Sequence, residues 1–373
     1  MSPVEERLRA AFQAKAGDIP ASAPPLRLPA RPRRSLFLAH GGGEKKRAPG
    51  SRGWRRRAAP VASAVLVVAV IAASAVVFGD GHSTAPSSRA HASAARPLLV
   101  PRPSSYLGVY LGVSPTGPPS YQAVQSFAAV AGTGPNLVEY VSAWGQRFAA
   151  AYAQTLSKHR AVMVVQLDPL ATSVAAIAAG RYDRYLRSYA DSVRDFGEPV
   201  VIGFANEMNA NWWSWGYGHT RPSQVVAAWR HIVTVFRRQG ADNVTWLWTI
   251  NAEGSGARPV AAWWPGSGYV TWVGIDGYYT LASDYFADVF GATIAQVRAL
   301  TSKPILLSQT AAALGAAQYA DIHNLFEGIF QYKLLGLVWA GMKSDVGVDW
   351  RVQGRLAEGA FRLGAARMKL ARP

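Results

Sequence analysis

From residue 105 onward, the 373-residue sequence predicts a (β/α)8 barrel of the TIM-barrel class, and three observations carry that prediction. Short runs rich in β-branched and aromatic residues alternate with longer Ala/Arg-rich stretches at helical period, the pattern of a parallel sheet whose strands are joined by helices. Eight such units fit into about 270 residues, close to the size of about 250 usual for this fold. Carboxylates, amides and indoles gather just past the runs, at the end of the barrel where active sites are built.

The chain reaches the barrel through three segments of different character. Residues 1–57 hold 14 Lys and Arg against 4 Asp and Glu, so this tail carries +10 of the formal net charge of +17. The basic balance therefore describes the tail, and nothing in it argues for a nucleic-acid partner of the folded part. Pro-, Arg- and Ala-rich with few aromatics, the tail is expected to be disordered and to lie near an anionic leaflet. Residues 58–79 are uncharged and rich in Val and Ala, which is 22 residues of helix and enough to cross a hydrocarbon core of about 30 Å. Arg52, Arg55, Arg56 and Arg57 precede this run and Asp80 follows it. The positive-inside rule then predicts a single-pass transmembrane helix with a cytoplasmic N-terminus and an extracytoplasmic barrel. A cleaved signal peptide, with Ala92-Ser93-Ala94 downstream, is the rival reading. Arg33-Arg34 lacks the apolar run that would make it a twin-arginine signal. Residues 80–104 are Ser-, Ala- and Pro-rich, a flexible tether.

The strands are expected at 107–113, 137–141, 163–167, 200–204, 244–249, 270–275, 305–308 and 335–339, and helices at 120–131, 181–196, 222–238, 288–300, 319–330 and 356–368. Half of the residues are hydrophobic and none is cysteine, so the core is held by packing alone, and thiol chemistry and Cys-based metal sites are excluded. No Gly-x-Gly-x-x-Gly follows the first strand, no Walker A sequence is present and no repeat of fixed period appears. His219, His231 and His323 lack metal-ligand spacing, so neither metal nor cofactor is expected.

Just past the fourth strand stand Asn206, Glu207, Asn209, Asn211, Trp212, Trp213 and Trp215. A carboxylate beside several indoles suits a sugar, whose flat apolar faces stack on aromatic rings while polar neighbours bind its hydroxyls. Asp168 follows the third strand, Glu253 the fifth, Asp276, Tyr278 and Tyr279 the sixth, and Asp349 the eighth, on which Trp339 lies.

Four stretches give this pattern a family likeness: 204–216 (FANEMNANWWSWG), 272–278 (WVGIDGY), 166–169 (QLDP) and 303–305 (KPI). Together they resemble glycoside hydrolase family 26, the group that includes β-mannanases, over residues 105–365. The resemblance implies a general acid/base at Glu207 and a nucleophile at the end of the seventh strand, a place that here holds Gln309. It further implies a polysaccharide or oligosaccharide ligand met by Asn206, Asn211, Trp212, Trp213, Trp215, Asp168, Asp276, Tyr278 and Trp339, with Tyr278 bonding the residue at the nucleophile position. Two departures stand out. A neutral amide cannot serve as the anion of a retaining pair, so hydrolysis is expected to be weak or lost, leaving a carbohydrate-binding pseudoenzyme as the alternative. Asn206 stands where the family usually has His before the acid/base.

Overall fold

The computed structural model describes residues 99–112, 117–253, 257–344 and 347–371. The tail 1–57, the predicted span 58–79 and most of the tether lie outside them; among the described residues no helix is long and apolar enough to cross a membrane.

Eight parallel strands close into a barrel in sequence order. They are β1 (Tyr106–Tyr110), β2 (Leu137–Ala143), β3 (Val162–Asp168), β4 (Val200–Phe204), β5 (Val244–Asn251), β6 (Trp272–Tyr279), β7 (Ile305–Ala312) and β8 (Gly336–Ala340), and β8 pairs back onto β1. Between them run α1 (Tyr121–Ala131), α2 (Ala150–Lys158), α3 (Val174–Ala178), α4 (Asp183–Phe196), α5 (Pro222–Arg238), α6 (Ala292–Leu300) and α7 (Gln318–Gln331), and α8 (Arg355–Arg367) follows β8. Strands covered by helices outside and by packed side chains inside read as apolar runs rather than alternating ones, as the sequence suggested.

Local chemistry sets the helix ends. Ser120 caps α1 by accepting from Ala123 N at 3.3 Å, and Gly132 ends it in the left-handed region that an L side chain disfavours. Pro222 starts α5, where its missing N–H costs nothing. The amphipathic α4 buries Leu186, Tyr189, Ala190 and Val193, one stripe at helical spacing. At the N-terminal end of the strands, buried Asn136 accepts from Leu107 N at 2.9 Å and donates to Ser105 O at 2.8 Å and Ala371 O at 2.9 Å, tying the start of β1 to the C-terminal segment.

Two differences from the expected elements bear on the site. β6 and β7 run further than the apolar runs suggested, because their ladder continues from Asp276↔Gln309 to Tyr279↔Ala312. Asp276, Tyr278 and Gln309 are therefore strand residues, held more rigidly than loop residues. β7 also carries one residue more than either neighbour over Ser308–Gln309: Gly274 and Asp276 pair with Leu306 and Gln309, while Leu337 and Trp339 pair with Leu307 and Thr310. Such a bulge re-aims side chains. Here it lets two consecutive residues, Ser308 and Gln309, both reach polar partners on other strands.

Candidate active site

Glu207 sits in the turn that leaves β4, with φ of 53°, and Ala205 has φ of 50°. Left-handed backbone at two non-glycine residues costs energy and persists only where the surroundings hold it, which is common at functional sites. The turn is held through Glu207 N, which donates to Thr249 O on β5 at 3.0 Å. A reciprocal amide pair adds to this: Asn251 N donates to Asn209 Oδ1 at 2.8 Å and Asn209 Nδ2 donates to Asn251 O at 2.9 Å.

Three N–H donors converge on the Glu207 carboxylate. Asn251 Nδ2 donates to Oε1 at 2.7 Å, and Trp212 Nε1 and Trp213 Nε1 donate to Oε2 at 2.8 and 3.0 Å. The two indoles singled out as sugar platforms thus also orient the acid. Trp213 is buried and stacks on Trp215 at a centroid distance of 4.8 Å. Trp212 is the more exposed of the pair.

Gln309 lies in a buried network drawn from three strands. Its Nε2 donates to Glu139 Oε1 on β2 at 2.8 Å, and its Oε1 accepts from the Tyr278 hydroxyl on β6 at 3.0 Å. Next to it, Ser308 Oγ donates to Asp276 Oδ1 at 2.5 Å. Gln166 on β3 donates to Thr249 Oγ1 at 3.1 Å. Space for that amide exists because residue 203 is glycine; a Cβ there would collide with Gln166 Oε1.

This interior is rich in carboxyl groups and short of cations. Burial pushes Glu139 up to about 8, against hydrogen bonds from Gln309 and Gln166 that pull it down. Burial, then the charges of Glu207 and Glu139, hold Asp168 and Asp276 well above the usual carboxylate range. Burial likewise raises Tyr278, which stays a neutral donor. Acids that keep their protons at neutral pH can donate as well as accept, and among the described residues Glu139 Oε2, Asp168 Oδ1, Asp276 Oδ2, Asn206 Oδ1 and Gln166 Oε1 find no hydrogen-bond partner. Sugar hydroxyls and carboxyl protons are the donors that such a set accepts.

Other residues predicted for the site fall elsewhere. Trp215 is fully buried and donates to Asn206 O at 2.9 Å, so it backs Trp213 rather than facing a ligand. Trp339 needs the same correction: its indole packs edge-on against Phe361 of α8 and donates to Trp350 O at 3.0 Å, because its place on β8 turns it toward the helix layer. Asn211 is exposed, with its carbonyl 2.9 Å from His219 Nε2. An open pocket of about 380 Å³ is lined by Thr172, Ser173, Ser214, His219, Thr220 and Gln224, and by none of the residues of the carboxyl cluster. Glu253 and Asp349, which follow the fifth and eighth strands, are engaged by Gln296 at 2.8 Å and by Arg351 at 2.6 Å. Among the described residues no group of His, Cys, Asp or Glu could hold a metal.

Sequence reasoning gave no role to Glu139 or Asn251, and placed Gln166 in a family stretch without one. A signal existed for the first: Glu139 is a lone charge inside the apolar run LVEYVSA, and a charge in a buried strand is seldom idle.

The comparisons with known proteins agree with this architecture. The chain is 26% identical over 263 residues to endoglucanase H of Acetivibrio thermocellus, a match that takes in 66% of this chain and 28% of that protein, so it spans less than a third of its relative's length. The fold is shared with a family 26 β-mannanase from Bacteroides ovatus (17% identity, TM-score 0.52, covering 72% of this chain and 90% of the other). It is shared as well with the endo-β-1,4-mannanase catalytic domain of Bacillus sp. JAMB-750 (15% identity, TM-score 0.54, 72% and 87%). The model of glycosyl hydrolase family 26 matches residues 165–351, half of the chain, from within β3 through β8, and the protein belongs to that family.

Proposed function

We propose that the barrel is a hydrolase of β-linked polysaccharide, with β-mannan and β-glucan as the substrates to try first, and that it works slowly because Gln309 occupies the place of the nucleophile. The observation that carries the reading is the convergence of Asn251, Trp212 and Trp213 on Glu207, which holds one carboxylate in a fixed direction at the strand ends. A group so held is suited to give a proton to a glycosidic oxygen and to take one back from water. Tyr278 and the bulge at Ser308–Gln309 aim a second oxygen, that of an amide, from the opposite strands.

Gln309 itself favours a second reading, a pseudoenzyme that keeps the cleft as a carbohydrate-binding module in envelope or exopolysaccharide assembly. Reducing-end release from soluble β-1,4-mannan and β-1,4-glucan, run beside a binding assay on the same polymers, separates the two. Release that disappears in Glu207→Ala supports the hydrolase; binding without release supports the pseudoenzyme.

The chain is further proposed to be anchored by residues 58–79, with the basic tail inside the cell and the barrel outside, on the strength of the apolar run and the arginines before it. Protease added to intact cells should remove the barrel and spare the tail. A protected barrel would reverse the orientation.

A further inference from the structure

We infer that Gln309 and Glu139 act as one catalytic unit, in which the Gln309 amide oxygen is the nucleophile and the Glu139 carboxylate takes the amide proton. The inference rests on the hydrolase reading above. It accounts for a buried carboxyl group on β2 that hydrolysis by an ordinary carboxylate pair leaves without a task.

The geometry supplies each part. Gln309 Nε2–H already points at Glu139 Oε1, at 2.8 Å. The Tyr278 hydroxyl bonds Gln309 Oε1 at 3.0 Å, which fixes the amide with its oxygen turned toward β6 and its nitrogen toward β2. One of the two lone pairs of Oε1 accepts from Tyr278 and the other is left for the anomeric carbon. A neutral amide oxygen is a weak nucleophile because attack makes the group cationic. Loss of Nε2–H to an adjacent carboxylate removes that cost and leaves a neutral imidate.

The steps balance. As Oε1 bonds to the anomeric carbon, the bond to the leaving oxygen breaks and protonated Glu207 gives that oxygen its proton, while the Nε2 proton moves to Glu139. In the second half, Glu207 takes a proton from water, the water oxygen bonds to the anomeric carbon as that carbon's bond to Oε1 breaks, and the freed oxygen re-forms the amide carbonyl while Nε2 regains its proton from Glu139. Two displacements at one carbon give retention of configuration.

A base works best when it titrates near the working pH, and burial places Glu139 at about 8. The groups facing it are Gln309 on β7, Gln166 on β3 and Glu207 after β4, with Asp168, Asp276 and Tyr278 near enough to interact electrostatically. The active form is the ionised one, so turnover should climb as pH rises toward 8.

The test uses the full chain on soluble β-1,4-mannan and β-1,4-glucan, with reducing-end release for rate and proton NMR of the first product for its anomeric form. Wild type should release the β-anomer, with a rate that rises from pH 6 to pH 8. Gln309→Ala should lose about 10³-fold, and Glu139→Gln about 10²-fold in kcat with KM little changed and the rise toward pH 8 gone. Should Glu139→Gln fail to fold, the wild-type stereochemistry and Gln309→Ala still decide. Turnover that survives Gln309→Ala but not Glu207→Ala, or release of the α-anomer, overturns the amide nucleophile and leaves the hydrolase reading standing. Binding without any wild-type turnover overturns both.

Discussion

Replacing Gln309 by Glu puts a carboxylate 2.8 Å from Glu139 Oε1, where an N–H donor now sits. At that distance two full charges would repel by roughly 6 kcal/mol at an effective dielectric constant of about 20, which corresponds to about four pKa units. The pair therefore keeps one proton over most of the working range. Since burial already pushes Glu139 up to about 8, the proton resides there and Glu139 becomes a donor to the new carboxylate. No hydrogen bond is lost: the donor and acceptor of the 2.8 Å contact exchange roles, and Tyr278 goes on donating to the other oxygen. The attacking atom changes from an amide oxygen to an anion. Loss of a central catalytic group costs about 10⁴–10⁶ in rate, and recovery of half that range in logarithm, about 10²–10³, corresponds to roughly 3–4 kcal/mol off the barrier. The optimum should move as well. Wild type needs Glu139 ionised and favours pH near 8, whereas Gln309→Glu needs Glu139 protonated and favours mildly acidic pH. Initial rates of reducing-end release between pH 4.5 and 8.5 test both effects. A rise of less than tenfold with polysaccharide binding intact, or an optimum that stays near 8, would refute the assignment of Gln309 to the attacking position.

Three further outcomes follow from the same contacts. Glu139 titrates near 4.5 in the unfolded chain and about 8 in the folded one, so its contribution to stability is complete below about pH 4.5 and is lost as pH rises through 8, on the order of a few kcal/mol; the melting temperature should fall from pH 5 to pH 8, and less steeply in Glu139→Gln. An equal slope in the variant would refute it, since Asp168 and Asp276 would then account for the whole effect. Trp213→Phe removes one donor from Glu207 Oε2 while keeping an aromatic ring against Trp215, so kcat/KM should drop by about tenfold or more with the fold unchanged by circular dichroism; an unaltered rate would show that Trp212 and Asn251 orient the acid alone. Asn136→Ala leaves Leu107 N, Ser105 O and Ala371 O without their buried partner and should cost about 2–4 kcal/mol in denaturant unfolding while sparing catalysis, because it sits at the opposite end of the strands from Glu207.

The barrel was legible because its signal is repeated eight times. Strands covered on both faces are short apolar runs, and the run at 200–204 coincides with β4. The helices α2 and α3 were missed for a physical reason: α2 buries only Ala153 and Leu156 and α3 only Val174 and Ile177, so neither writes an apolar stripe into the sequence. Strand ends were blurred where polar residues continue a ladder. Asp276 and Gln309 look like loop residues by composition, yet they pair with each other across β6 and β7.

What the sequence hid is the inside of the barrel. Glu207 announced itself through a dense motif of amides and indoles in adjacent positions, whereas the partners of Gln309 come from β2 and β6, 170 and 31 residues away along the chain. Only closure of the sheet in strand order brings β2 and β7 within reach across the lumen. Tetrad-like polar clusters of this kind are costly in a low-dielectric interior, since each unpaired acceptor forfeits its hydration. Glu139, Asp168 and Asp276 limit that cost by keeping their protons, and Gly203 and the Ser308–Gln309 bulge make the room that Gln166 and Gln309 need. A barrel that had lost its chemistry altogether would be free to replace Glu139 and Gln309 with apolar residues of similar volume, which often leaves stability equal or better. That both side chains instead hold each other at hydrogen-bond distance, with Tyr278 completing the contact, is the physical reason to test this site as a working one.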